Sequence, residues 1–273
     1  MNRTQDVLGT LAREIGARPT GTDANEAANR YLEGIARDLG FDVTALHFDC
    51  RRWEYAPSTA VADGQTVPIH PGPFSAPLQG RFPVTMVDRL EDLRRAEVTG
   101  RLLVIHGELS RDPLMPRDFP FYYPDEHREI LDLLLAKQPA GVLALTGRHP
   151  MCGLSPFPLF EDGNLGLPNA YAGDTSEPIL QAARDGGQVE IELDSSSVPT
   201  RGRQLVFSRT AGPAGRAPDG NARDREGGRI VIAAHIDTKY ETPGALDNAA
   251  GVATLVSVME RLREARPSVD VDI

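Results

Sequence analysis

The sequence is short of cysteine. Cys50 and Cys152 are the only two, far apart and outside any C-x-x-C spacing. That excludes a disulfide framework and a cysteine zinc site, and nothing in the spacing favours a single bridge between them. Long apolar runs are missing as well. None reaches the roughly 18 residues needed to span a bilayer. The opening stretch MNRTQDVLGTLAREIG has no apolar signal core and no small-residue cleavage site. These absences predict a cytoplasmic protein with no membrane partner. Positive charge is in deficit: 29 Lys and Arg face 39 Asp and Glu, for a net charge of −10. An acidic surface argues against non-specific binding to nucleic acid. There is no phosphate loop, dinucleotide fingerprint or internal repeat. Ser155 and Ser195–Ser197 lack the glycine pattern of a nucleophile elbow, which argues against serine hydrolysis.

What is there describes an ordinary globular protein. Its 273 residues are 40% hydrophobic and 25% charged. A chain of that length can bury a core without covalent staples and is enough for one large or two small domains.

The beginning reads as α/β. Val7, Leu8, Leu11 and Ile15 recur at helical spacing before Gly16. RPTGTD is a turn. Thr22 and Asp23 are candidate N-caps, and Asp23 with Glu26 has capping-box spacing. Ala27, Ala28, Tyr31, Leu32, Ile35, Ala36 and Leu39 mark a second helix, which Gly40 ends. FDVTALHF alternates and predicts a strand. From about Cys50 proline and glycine become frequent and apolar runs short, as in a β-rich, loop-rich module. Within it GRLLVIHG (100–107), AGVLALTG and GQVEIELD read as strands, and PDEHREILDLLLAKQ as a helix. The last part is α/β again. RQLVFSRT (203–210) is a strand, and 211–228 is a polar loop expected to be mobile. RIVIAA (229–234), apolar on both faces, predicts a central strand. NAAGVATLVSVMERLREAR is a helix with Val252, Leu255, Val256, Met259 and Leu262 on one face. SVDVDI begins a further strand. The order predicts a discontinuous α/β domain from 1–49 and 201–273, with 50–200 inserted.

Chemistry concentrates in AAHIDTKYETPGALDNAAGVATL. Taken singly, its residues have plain explanations. A strand-end histidine such as His235 is most often a hydrogen-bonded structural residue. Asp247 stands where a helix cap belongs, and Gly244 suits a turn. Jointly they say more. His235 falls at the carboxyl end of an apolar strand, where α/β sheets place their ligands. Asp237 shares its side of an extended chain. It can accept a hydrogen bond from one imidazole nitrogen while the other binds a metal. Asp247 returns to the same sheet edge across a glycine turn. Imidazole with carboxylate suits zinc.

This segment resembles the zinc-binding segment of the co-catalytic metallopeptidases that include aminopeptidase Y and the bacterial leucyl aminopeptidases. The shared pattern is His-x-Asp, then Gly-Ala-x-Asp-Asn-x-x-Gly at the head of a helix. ARPTGTDANEAANRYLEGIARDLGFDV resembles that family's entry helices. Residues 50–200, with VTGRLLVIHGEL, resemble the protease-associated module inserted there. The resemblance implies the α/β sheet of the zinc exopeptidases (phosphorylase/hydrolase-like). It implies that His235 binds one zinc, that Asp247 bridges two, and that Asp237 orients His235. It also implies a strained or cis bond between Asp247 and Asn248. The implied reaction releases an N-terminal residue from a peptide by a water held between two zincs, with a glutamate as base.

The family's full set also needs a Glu-Glu pair on the strand after this helix, a further acid and a late histidine. SVDVDI looks like the start of that strand, and Asp270 and Asp272 do not match the missing residues. The chain is therefore expected to be a fragment of its lineage, inactive by itself and a poor zinc binder. Such a cut sheet is also expected to be weakly stable or to associate. Two alternatives stand beside the aminopeptidase reading: a non-catalytic peptide-binding or interaction protein on the same scaffold, and a related dizinc amidohydrolase or carboxypeptidase.

Other clusters read as structural. His149 and Cys152 form a possible metal pair in a proline-rich loop. Asp125, Glu126, His127 and Glu129 fit a solvated helix start. Phe119, Phe121, Tyr122 and Tyr123 suit a substrate cleft or a small core equally.

Overall fold

A computed structural model describes residues 3–117, 119–151, 153–160, 165–184, 186–211, 228–265 and 267–273. The fold is mixed α/β. Its helices are α1 (Arg3–Gly9), α2 (Asp23–Asp38), α3 (Leu90–Arg95), α4 (Asp125–Lys137), α5 (Glu177–Arg184) and α6 (Ala250–Ala265). Its strands are β1 (Asp42–Tyr55), β2 (Thr59–Ala62), β3 (Gln65–Pro68), β4 (His70–Pro71), β5 (Leu78–Val87) and β6 (Leu102–Ile105). They continue with β7 (Gly141–Thr146), β8 (Asn169–Gly173), β9 (Gln188–Leu193), β10 (Ser195–Arg209), β11 (Arg229–Val231) and β12 (Asp270–Asp272). Among the described residues no helix is long and apolar enough to cross a membrane. The chain divides into two compact units. One is Met1–Arg52 with Pro199–Ile273, and the other is Trp53–Val198.

In the first unit the sheet order is β1-β10-β12-β11. β12 runs antiparallel to β10, with Ser208 opposite Asp272, and parallel to β11, with Ile230 opposite Val271. α1, the wide helical turn Thr10–Ile15 that follows it, α2 and α6 supply the core: Val7, Leu11, Ala28, Leu32, Val256 and Met259 pack with Phe207 of β10. The cap of α2 is Thr22, whose hydroxyl accepts from the amide of Asn25. α6 buries Val252, Ala253, Val256 and Met259. Leu255 and Leu262 of the expected face are half-buried.

The strand expected over 229–234 differs. Only Arg229–Val231 is regular, and all three residues are exposed, Ile230 at 50% and Val231 at 69%. Among the described residues β11 has one strand neighbour, β12, and forms the sheet edge. An unbroken apolar run marks a buried central strand only where strands pair with both its edges and other elements cover both its faces. Beyond Val231 the chain is no longer regular strand, but burial still alternates. Ile232, Ala234 and Ile236 are half-buried, whereas Ala233 and His235 are exposed. The loop expected to be mobile lies, over 212–227, outside the described residues.

The second unit holds a sheet of order β3-β2-β9-β5-β6-β7-β8-β4. β5, β6, β7 and β8 are mutually parallel, and their neighbours pair antiparallel. The strand period of two divides its core between two faces. Leu102, Val104, Leu143 and Leu145 pack with Leu180 and Ala183 of α5. Leu103, Ile105, Val142 and Ala144 pack with Leu93 of α3 and Ile130, Leu131 and Leu134 of α4. The unit is thus more helical than a β-rich, loop-rich texture suggests. Its parallel strands need crossovers, and α3 and α4 provide two of them.

Candidate metal centre

His235 leaves the sheet on the outward side of the extended stretch that follows β11. Its Nδ1 lies 3.3 Å from Oδ1 of Asp237 and 3.2 Å from the Asp237 carbonyl oxygen. Its Nε2 lies 2.9 Å from Oδ1 of Asp247. All three side chains are accessible: the Asp247 carboxylate is 84% exposed, His235 54% and Asp237 43%.

The turn that returns the chain to His235 depends on Gly244. Its φ is +59°, in the left-handed region. A Cβ there would meet Cγ2 of Thr238 at 2.3 Å and the carbonyl oxygen of Asp247 at 2.7 Å. Only glycine lets the turn close so tightly. Asp247 and Asn248 follow with non-helical backbone angles, and the peptide between them is cis. α6 then begins. Its start is capped by Asn248, whose Oδ1 accepts from the amide of Gly251 at 3.1 Å. Asp247, the residue that sequence reading offers as a cap, instead faces His235.

One residue of this region has no signal in the sequence. Arg18, placed there only in a turn, is fully buried beneath the extended stretch. Its amide donates to the Thr238 hydroxyl at 2.8 Å. Its guanidinium donates to the carbonyls of Ile236, Leu11, Gly16, Pro243 and Gly244 at 2.7, 3.1, 2.9, 2.9 and 3.3 Å. Burial holds its pKa below the usual arginine value, and the Asp237 carboxylate partly offsets this.

The donor set fits a zinc ion in kind. If Nδ1–H donates to Asp237, Nε2 and Asp247 Oδ1 confront each other with lone pairs. Zinc takes such imidazole and carboxylate atoms at about 2.0–2.2 Å. In number the set is short. Catalytic zinc usually takes three protein ligands. Among the described residues no group of three or more His, Cys, Asp and Glu is arranged to hold a metal.

The other clusters separate. The His149–Cys152 pair lies partly outside the described residues, since Cys152 is not among them. Nδ1 of His149 accepts from the amide of Met151. His127 of α4 accepts from the amide of Met115 through Nδ1 at 3.0 Å, a loop-fixing bond. Of the four aromatics, Tyr123 packs against the core under Arg128, while Phe121 and Tyr122 are 88% and 63% exposed. The Ser195 hydroxyl is buried and donates to the Ser75 carbonyl.

Residues 217–273 match Peptidase family M28. No curated protein matches the chain. Solved structures do. A zinc aminopeptidase from Bacillus subtilis superposes with a TM-score of 0.70 at 16% identity, over 99% of this chain and 59% of that one. An aminopeptidase from Aneurinibacillus sp. strain AM-1 gives 0.66 at 12% identity, over 99% and 60%. A peptidase M28 precursor from Shewanella amazonensis SB2B gives 0.66 at 17% identity, over 100% and 63%. The chain therefore spans about three-fifths of the length of these structures (60%, 59% and 63%). Residues 217–273 thus resemble Peptidase family M28, and the chain as a whole shares the fold of these solved structures.

Proposed function

We propose that this chain belongs to a zinc-dependent metallopeptidase of aminopeptidase type that releases N-terminal residues from peptides. In this reading His235 and Asp247 would hold the metal, with Asp247 shared between two zincs, and Asp237 would orient His235. Residues 1–49 and 201–273 would form the peptidase domain, and 50–200 the protease-associated-like insertion. The observation that carries the reading is the approach of His235 Nε2 to Asp247 Oδ1 inside the segment that matches Peptidase family M28.

The chain's own residues divide the work simply. Asp237 accepts from Nδ1, which fixes the tautomer and leaves the Nε2 lone pair for the metal. Asp247 offers an accessible carboxylate. Gly244 brings that carboxylate back to the histidine. A metal held there would supply a water of lowered pKa and polarise a scissile carbonyl.

Zinc titration calorimetry tests this. The wild-type chain is expected to bind zinc weakly, and His235→Ala and Asp247→Asn to abolish binding. Binding that neither substitution affects would refute the assignment. With two donors the chain alone is expected not to hydrolyse aminoacyl-arylamides. Hydrolysis that a chelator stops would overturn that expectation. A second reading is a non-catalytic peptide-binding or interaction protein on this scaffold. Peptide binding that persists in a chelator would support it.

A further inference from the structure

We propose that Arg18 is the positioning residue of the candidate metal pair: its buried guanidinium ties the strand end that bears His235 to the turn that bears Asp247. For the metal, this rests on the function proposed above. The tie itself does not.

The plain alternative is that Arg18 caps a helix. The wide helical turn Thr10–Ile15 ends at Gly16, and its last carbonyls need donors. Leu11 and Gly16 supply two of the five guanidinium acceptors, and capping explains those. It does not explain the other three. Ile236 lies between His235 and Asp237, and Pro243 and Gly244 shortly precede Asp247. The main-chain amide adds Thr238. Each segment is thereby fixed to one rigid planar group.

The choice of residue follows from the geometry. Guanidinium presents five N–H donors in a fixed fork and stays charged. Lysine offers three donors from a single atom. A neutral side chain would strand several buried carbonyls. All five acceptors are main-chain carbonyls, so the cation is held by backbone dipoles rather than by direct contact with a carboxylate. A buried charge of this kind persists only where its surroundings satisfy it fully. Arg18 is held in turn from α2, where the Asn25 side chain donates to the Arg18 carbonyl at 3.2 Å. His235 and Asp247 make no hydrogen bond to Arg18, so it acts on them through the backbone.

Hydrogen exchange read by mass spectrometry on the metal-free full chain tests the tie. Arg18→Met is compared with wild type and with Val256→Ala, a core truncation in the same unit. Arg18→Met is expected to speed exchange across 233–248 at least about tenfold more than across 23–38 and 250–265. Val256→Ala should show no such localisation. If Arg18→Met loosens all three segments alike, Arg18 is an ordinary core residue and the proposal falls. Should Arg18→Met not fold, Arg18→Lys and Thr238→Ala carry the same comparison and are judged by the same localisation. A second readout is zinc affinity, expected to drop roughly tenfold in Arg18→Lys, as for loss of a supporting residue. If wild type binds no zinc, the proposed function fails while the exchange pattern still decides the role of Arg18. If wild type binds zinc and Arg18→Lys binds it equally, with unchanged exchange, the positioning role is refuted.

Discussion

Nε2 of His235 and Oδ1 of Asp247 stand 2.9 Å apart, brought together by a turn that closes on Gly244. Asp237 holds the other imidazole nitrogen. The two carboxylates therefore have separate consequences. Asp247→Asn removes a donor and should abolish zinc binding. Asp237→Asn keeps both donors but weakens the hold on the ring. It should weaken zinc binding about 10–100-fold without abolishing it. Calorimetric titration of the two variants side by side checks the ranking. Equal losses would mean that Asp237 is itself a ligand.

Asn248 and Asp247 differ in role although both types are good helix caps. The Asn248 side chain accepts from the Gly251 amide at the start of α6. Asn248→Ala should cost about 0.5–2 kcal/mol of stability. Asp247→Asn should cost little, because its exposed carboxylate caps nothing. Urea denaturation of the two variants distinguishes them, and the reverse order would contradict the capping assignment.

Burial lowers the pKa of His127 below its ordinary value, with Glu126 and Asp112 opposing. Its folded pKa is thus below its unfolded one, near 6.5. The unfolded chain takes up the proton first, so stability falls as pH drops below about 6.5 toward the folded pKa. Asn at this position can still accept from the Met115 amide but does not titrate. His127→Asn should therefore flatten the fall of the melting temperature in that window and change it little above pH 7. An unaltered slope would mean that protonated His127 is tolerated in the fold.

Much of the fold is legible because local and tertiary preferences agree. The helix over 23–38 has a cap, an apolar face and a glycine stop, and it folds as α2. GRLLVIHG and AGVLALTG read as strands, and they hold β6 and β7, which are buried throughout. That His235 and Asp237 can meet follows from the two-residue period of an extended chain. Three things were not legible. The apolar run 229–234 could not reveal that β11 has one neighbour, since its pairing depends on segments distant in sequence. Capping preference could not separate Asp247 from Asn248; the backbone angles of the turn decide that. Arg18 follows no periodicity, and four of its acceptors come from the far end of the chain. A buried cation is recognised only by what surrounds it.

The edge at β11 has a consequence for the isolated chain. Ile230 and Val231 are exposed on a strand that, among the described residues, pairs only with β12. An apolar strand with a free edge is a template for pairing with another chain. The chain is expected to associate increasingly at tens of micromolar and above. Val231→Lys places a charge on the edge and should shift it toward monomer, with little effect on melting because the side chain is already exposed. Light scattering after size-exclusion chromatography, run over a concentration series, measures this. A chain that stays monomeric throughout, or a variant that associates as strongly as wild type, would place any association elsewhere. In that case the exposed apolar residues Phe121 and Tyr122 of the second unit are the next surface to alter.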